Sequence, residues 1–121
     1  MAVQDVIAVS VPVSDQDRAK DFYVNKLGFE LLREDESVPG MRWILVAPKG
    51  ASTALTLVTW FDTMPAGSLQ GLVITSDDIH ADYQAMSQRG VHFDGPPETQ
   101  PWGTETVLVD PDGNRIVMQQ A

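Results

Sequence analysis

The second half of this chain repeats the first. Residues 40–50, GMRWILVAPKG, align with residues 103–113, GTETVLVDPDG, at a shift of 63, with Gly, Leu, Val, Pro and Gly recurring in register. Upstream, Ser14-Asp15 opens a segment reaching Leu27-Gly28-Phe29, and Ser76-Asp77 opens one reaching Arg89-Gly90-Val91, at a shift of 62. Repetition on this scale means one supersecondary unit used twice. Two copies facing each other enclose a groove, and function is to be sought there.

The 121 residues make one compact domain. There are no cysteines, which excludes disulfides, thiolate catalysis and zinc–thiolate sites. No apolar run is long enough to span a membrane, and Met1-Ala2-Val3-Gln4-Asp5 lacks the basic start of a signal peptide, so a cytoplasmic location is expected. The formal charge of −9 argues against nucleic acid and anionic membranes as partners. It favours solubility and, more weakly, a cationic ligand.

Each unit reads strand, helix, strand, strand, strand, with unit one over about 1–62 and unit two over about 68–121. Val6 to Val13 is a strand. Ser14 is a helix N-cap candidate, and Ala19, Phe22, Tyr23 and Leu27 form one apolar helical stripe ended by Gly28. Phe29 to Arg33 starts a strand, and Glu34-Asp35-Glu36 with Pro39-Gly40 makes a turn. Met41 to Val46 and Ala54 to Thr59 are strands, and residues 60–69 link the units. In unit two, Gly71 to Thr75 is a strand and Ser76-Asp77-Asp78 caps a helix running to about Arg89. A short extended piece follows at His92-Phe93, broken by Pro96-Pro97. Gly103 to Val109 and Arg115 to Gln120 are strands hinged at Asp110-Pro111-Asp112-Gly113-Asn114.

The stretch from Val13 to Tyr23, then Lys26-Leu27-Gly28-Phe29, and Asp110-Pro111-Asp112-Gly113-Asn114 near the end, together with the duplication, resemble the vicinal oxygen chelate superfamily. That superfamily contains glyoxalase I, extradiol dioxygenases and bleomycin resistance proteins. The resemblance implies an α+β fold: two tandem βαβββ modules in one domain, their curled mixed sheets around a shared cleft, assembled as a homodimer. Gln100-Pro101-Trp102-Gly103 looks most like the metal-free, drug-binding branch.

Metal-dependent members place His, Gln or Glu on each of four cavity strands, and their pattern falls here on Ala8, Thr56, Leu72 and Val117. Three of these offer no donor atom, and a lone threonine hydroxyl is a poor ligand. A one-residue register error substitutes side chains that cannot ligate either. His80, at a helix start, and His92, at a strand start, form no ligand set by spacing, so no metal or other cofactor is expected. No nucleophile has a base close in sequence, so no catalytic residue is assigned.

An apolar groove remains, with Leu72 in its wall and Ser10 and Thr56 as small polar points, suited to a flat or bulky organic molecule. Trp43 on a strand, Trp60 and Phe61 at the start of the linker, and Trp102 on the loop before a cavity strand supply stacking faces. Met64 in the linker adapts to irregular shapes. The resemblance therefore implies binding without chemistry: sequestration of a planar or bulky aromatic antibiotic, bleomycin-, mitomycin- or enediyne-like, in a cleft at the dimer interface. Two other readings stay open, a metal-independent lyase, isomerase or hydrolase with Glu105 as base, and a metabolite sensor. Specificity is expected from loops 34–40, 60–69 and 94–102.

Overall fold

Aliphatic side chains at every second position of Val9, Val11 and Val13 give the first strand one face for a core and one for something else. A computed structural model, describing residues 2–121, places this strand, β1 (Ala8–Pro12), parallel to β4 (Ala54–Val58). Helix α1 (Gln16–Asp21) connects it to the hairpin of β2 (Glu30–Val38) and β3 (Met41–Ala47), completing a sheet of order β1-β4-β3-β2. The second unit repeats the plan. Its elements are β5 (Leu72–Ser76), α2 (Ile79–Gln88), β6 (His92–Phe93), β7 (Glu98–Gln100), β8 (Gly103–Val109) and β9 (Arg115–Gln120). The sheet order is β5-β9-β8-β6, with β7 also on β8 and β5 parallel to β9.

Both helices start on an aspartate. Asp15 accepts from the Arg18 amide at 3.1 Å and Asp78 from the Ala81 amide at 3.2 Å. The cap of α1 is thus Asp15, not Ser14, whose hydroxyl is engaged by Asp112 across the chain. Thirteen residues separate Asp15 from Gly28, but twelve separate Asp78 from Gly90. The extra residue is absorbed where α1 continues as a π-helical turn, Phe22–Lys26. Gly28 and Gly90 then leave the helices at φ +80° and +90°, a conformation glycine reaches without strain.

Sequence and structure differ at three places in the sheets. The acidic run Glu34-Asp35-Glu36 is strand, not turn. β2 carries register shifts between Leu31 and Arg33 and between Asp35 and Val38, which let Lys20 pair with Glu34 and Arg33 with Asp35. Residues 98–100 form β7, beyond the break at Pro96-Pro97. The hairpins superpose at a shift of 62, not 63: Leu31 faces Val46 as Phe93 faces Leu108. A one-residue slip exchanges the two faces of a strand, so this difference decides which side chains reach a site.

One core joins the units. Val11, Val13, Ile44, Val46, Leu55 and Leu57 of the first sheet share it with Leu108, Ile116 and Met118 of the second and with both helices. Tyr23 is fully buried, and its hydroxyl donates to Asp110 Oδ2 at 2.8 Å. Asn114 Nδ2 donates to that same carboxylate oxygen and to the Pro12 carbonyl, while the amides of Asp112 and Asn114 donate to Asp110 Oδ1. The β8–β9 turn is therefore a clasp between units as well as a turn. The linker closes over it: a Cβ on Gly67 would lie 2.1 Å from the Asp112 carbonyl oxygen, so only glycine fits. Because both sheets give the core their helix-bearing faces, their opposite faces point away from each other within one chain.

Candidate functional site

The face of the first sheet turned from the core is built by register. Ser10 lies opposite Thr56, and Thr56 opposite Leu45, so the three share that face, as does Trp43 two residues before Leu45. Trp60, just beyond β4, packs edge-on against Trp43 with ring centroids 5.1 Å apart, and Phe61 lies 6.3 Å from Trp60. The structure thus brings Trp43, Trp60, Phe61, Thr56 and Ser10 together. Thr56 is buried and Phe61 is exposed. Met64 follows in the linker, half-buried, its amide on the Phe61 carbonyl at 3.0 Å.

Two predicted residues lie elsewhere. Leu72 packs against the shared core, and its neighbour Val73 holds the outward position on β5, half exposed opposite Val117. A run such as Leu72-Val73-Ile74 has no polar residue to mark its outer side, so its register is not readable from sequence alone. Trp102 stands on the β7–β8 turn, 69% exposed, with its indole N–H on Glu105 Oε1 at 2.6 Å. It belongs to the outer face of the second sheet, with Glu105, Val107, Val117 and Gln119.

Sequence reasoning passed over Arg33 on the first of these faces, and weighed Glu105 on the second only as the base of the alternative enzyme reading. Arg33, opposite Leu45 on β2, holds its guanidinium 5.6 Å from the Trp43 ring centre and pairs with Asp35. The Arg33 and Ser37 side chains hold the Asp35 carboxyl below the ordinary range. Glu105 occupies in the second sheet the place that Trp43 occupies in the first. The 62-residue shift that equates them was the available signal.

A cavity of about 740 Å³ lies elsewhere again, between Phe29, Leu55 and the 48–53 turn of the first unit and Leu72–Thr75 of the second. Leu72 is the one predicted residue in its wall. It runs along β5, an edge strand whose outer side has no partner strand, so its main-chain groups offer pairing rather than aromatic contact. The tryptophans lie outside this cavity.

Of the four positions that the resemblance marks for metal ligands, Ala8, Leu72 and Val117 carry no donor atom and Thr56 offers a lone hydroxyl, a poor set for a divalent ion. Among the described residues no three His, Cys, Asp or Glu side chains are grouped to hold one. His80 and His92 are both exposed, and the imidazole of His92 lies 4.0 Å from Asp94. No helix among the described residues is long and apolar enough to cross a membrane.

The fold is shared with known proteins. TnmS3, an antibiotic binding protein from Streptomyces sp. CB03234, is 53% identical, with 99% of this chain and 98% of that one covered at a TM-score of 0.93. A superfamily member from Sphaerobacter thermophilus DSM 20745 is 36% identical over the full length of both chains at a TM-score of 0.94. The uncharacterized protein YetH of Bacillus subtilis (strain 168) is 36% identical over 121 residues, 98% of this chain and 99% of its own. The family profile matches residues 5–118, and the chain belongs to the glyoxalase/bleomycin resistance protein/dioxygenase superfamily.

Proposed function

We propose that this protein binds a planar aromatic small molecule, of the antibiotic kind, and holds it chemically unchanged. The observation that carries this reading is the Trp43–Trp60 pair on the outer face of the first sheet, above the small hydroxyls of Thr56 and Ser10. Such a surface offers stacking area and few polar contacts, and no nucleophile–base pair. The similarity to TnmS3 supports it.

The site is completed by a second copy. Within one chain the Trp43 face and the Glu105 face look away from each other, so a cleft walled by both requires two chains related by a two-fold axis, which makes two equivalent clefts. Surfaces remain for that contact: Val73 on the unpaired edge of β5, and Val3, Val6 and Ile7 exposed in the segment before β1. In the assembled protein Trp102 would then edge the cleft whose floor holds Thr56.

Titration with mitomycin- and anthraquinone-type compounds, followed by tryptophan fluorescence, tests the reading. Saturable quenching at one ligand per chain is expected, with recovered ligand of unchanged mass. An altered product would replace capture with catalysis. Trp43→Ala should weaken binding by about tenfold or more, since one aromatic stacking pair contributes on the order of 1 kcal/mol beyond its buried area. Sedimentation equilibrium should give a dimer, and a monomer that still binds would remove the second copy from the site.

A further inference from the structure

Glu105 lies on the outward face of the second sheet directly opposite Glu98 of β7, which is exposed, and the two oxygens of Glu105 are in different situations. Oε1 accepts from Trp102 Nε1 at 2.6 Å and from Gln119 Nε2 at 3.2 Å. Oε2 has no protein donor. No lysine, arginine or histidine pairs with Glu105 among the described residues. The next rung along β8 and β9 is Val107 opposite Val117, with Val73 beyond it on β5. The carboxylate is thus half-buried, held in place by two donors, and set at the end of an aliphatic row.

A charged carboxylate in such a place needs a partner once the cleft closes and water leaves, because an unpaired charge out of water is costly. Its free oxygen is the place where that partner would bind. A protonated amine offers the strongest hydrogen bond to a carboxylate, and the aliphatic row beside it suits the ring that carries the amine. The net charge of −9 adds a field that draws cations in.

We propose that Glu105, held by Trp102 and Gln119, recognises a protonated amine borne by the aromatic ligand. This rests on the binding function above and narrows it to amine-bearing ring systems. Glu105 is then the residue that discriminates among flat molecules which the tryptophans alone would treat alike.

Three anthracenes of the same ring system test this: 9-(methylaminomethyl)anthracene as the cation, 9-anthracenemethanol as the neutral hydroxyl, and 9-anthracenecarboxylate as the anion. Their dissociation constants are read by tryptophan quenching at pH 7 and moderate salt. The wild-type protein should prefer the ammonium to the alcohol by about tenfold and the alcohol to the carboxylate by a further margin. Glu105→Gln keeps an acceptor for Trp102 and should abolish the preference for the ammonium while leaving affinity for the alcohol near its starting value. Asp77→Asn, a change of equal charge at an exposed position off this face, should leave the preference intact, which separates Glu105 from the general field.

Equal binding of ammonium and alcohol by the wild type overturns the proposal but leaves aromatic capture standing. A preference that survives Glu105→Gln, or that Asp77→Asn removes equally, also overturns it. So does weakened self-association in Glu105→Gln with the preference unchanged, which would make Glu105 a subunit contact. No quenching by any of the three compounds would sink the binding function together with this refinement.

Discussion

The two units are copies of one plan, and what they share differs in kind from what they do not. Both begin their helix on an aspartate cap, leave it through a positive-φ glycine, and set their first strand parallel to their last. These features answer needs of the backbone: unpaired amides at a helix start, a left-handed exit, a crossover. The outward faces answer no such need, and there the copies part. Where the first sheet presents Trp43 beside Trp60, the second presents Glu105 beside Gln119. Strand β4 is buried along its whole length, whereas its counterpart β9 alternates between half-buried and buried positions before Gln119. Duplication thus supplied two equivalent platforms, one now aromatic and one now acidic.

The clasp is where the copies depend on each other most, and breaking it should have the largest effect. Asp110→Ala strands the Tyr23 hydroxyl, the Asn114 amide and two backbone N–H groups. At about 1–3 kcal/mol for each buried donor left unpaired, partly relieved by water, a loss of about 3–5 kcal/mol in urea unfolding is expected. A loss below about 1 kcal/mol would mean that the units hold together by the apolar core alone.

Tyr23 has no counterpart in the second unit, where Ala85 stands at the 62-residue shift, and alkaline pH isolates the Tyr23–Asp110 contact. Burial, and then the neighbouring Asp110 charge, push the Tyr23 phenol far above the ordinary tyrosine value. The folded protein therefore keeps this proton at pH values where the unfolded chain has lost it. The stability it contributes is complete below about pH 10 and declines above by about 1.4 kcal/mol per pH unit. Tyr23→Phe should cost about 1 kcal/mol at neutral pH and remove this part of the alkaline slope. Parallel slopes for the two proteins between pH 9.5 and 11.5 would show that Tyr23 ionises normally when folded.

The caps give the smallest effect and the strictest comparison. Asp15→Ala and Asp78→Ala each remove one side-chain acceptor from a helix start and should each cost about 1 kcal/mol. Thermal unfolding of both variants measures this. A markedly larger loss for Asp15→Ala would mean that its cap also supports Arg18, whose guanidinium bonds Asp112 across the clasp at 3.0 Å.

Much of the fold was legible because its signals are local. The spacing of Ala19, Phe22, Tyr23 and Leu27 announces a buried helical stripe, and all four are buried. Asp110, Asp112 and Asn114 read as turn-formers, which they are, but no spacing rule shows that the turn would reach Tyr23, eighty-seven residues away. The candidate site was legible in part. Trp43 and Trp60 are far apart in sequence, and their contact follows only from the pairing of β3 with β4. Leu72 lines the cavity beside the 48–53 turn and not the tryptophan face, a placement its equally apolar neighbours on β5 do not signal.

The chain by itself determined the two units, the helical stripe of the first and most of the strands. Each follows from residue identity over a few positions. Tertiary structure decided which side of each strand faces outward. A strand's two sides are chemically distinct only after one has met a core, and a single-residue slip, here taken up by a π-helical turn and two bulges in β2, exchanges them.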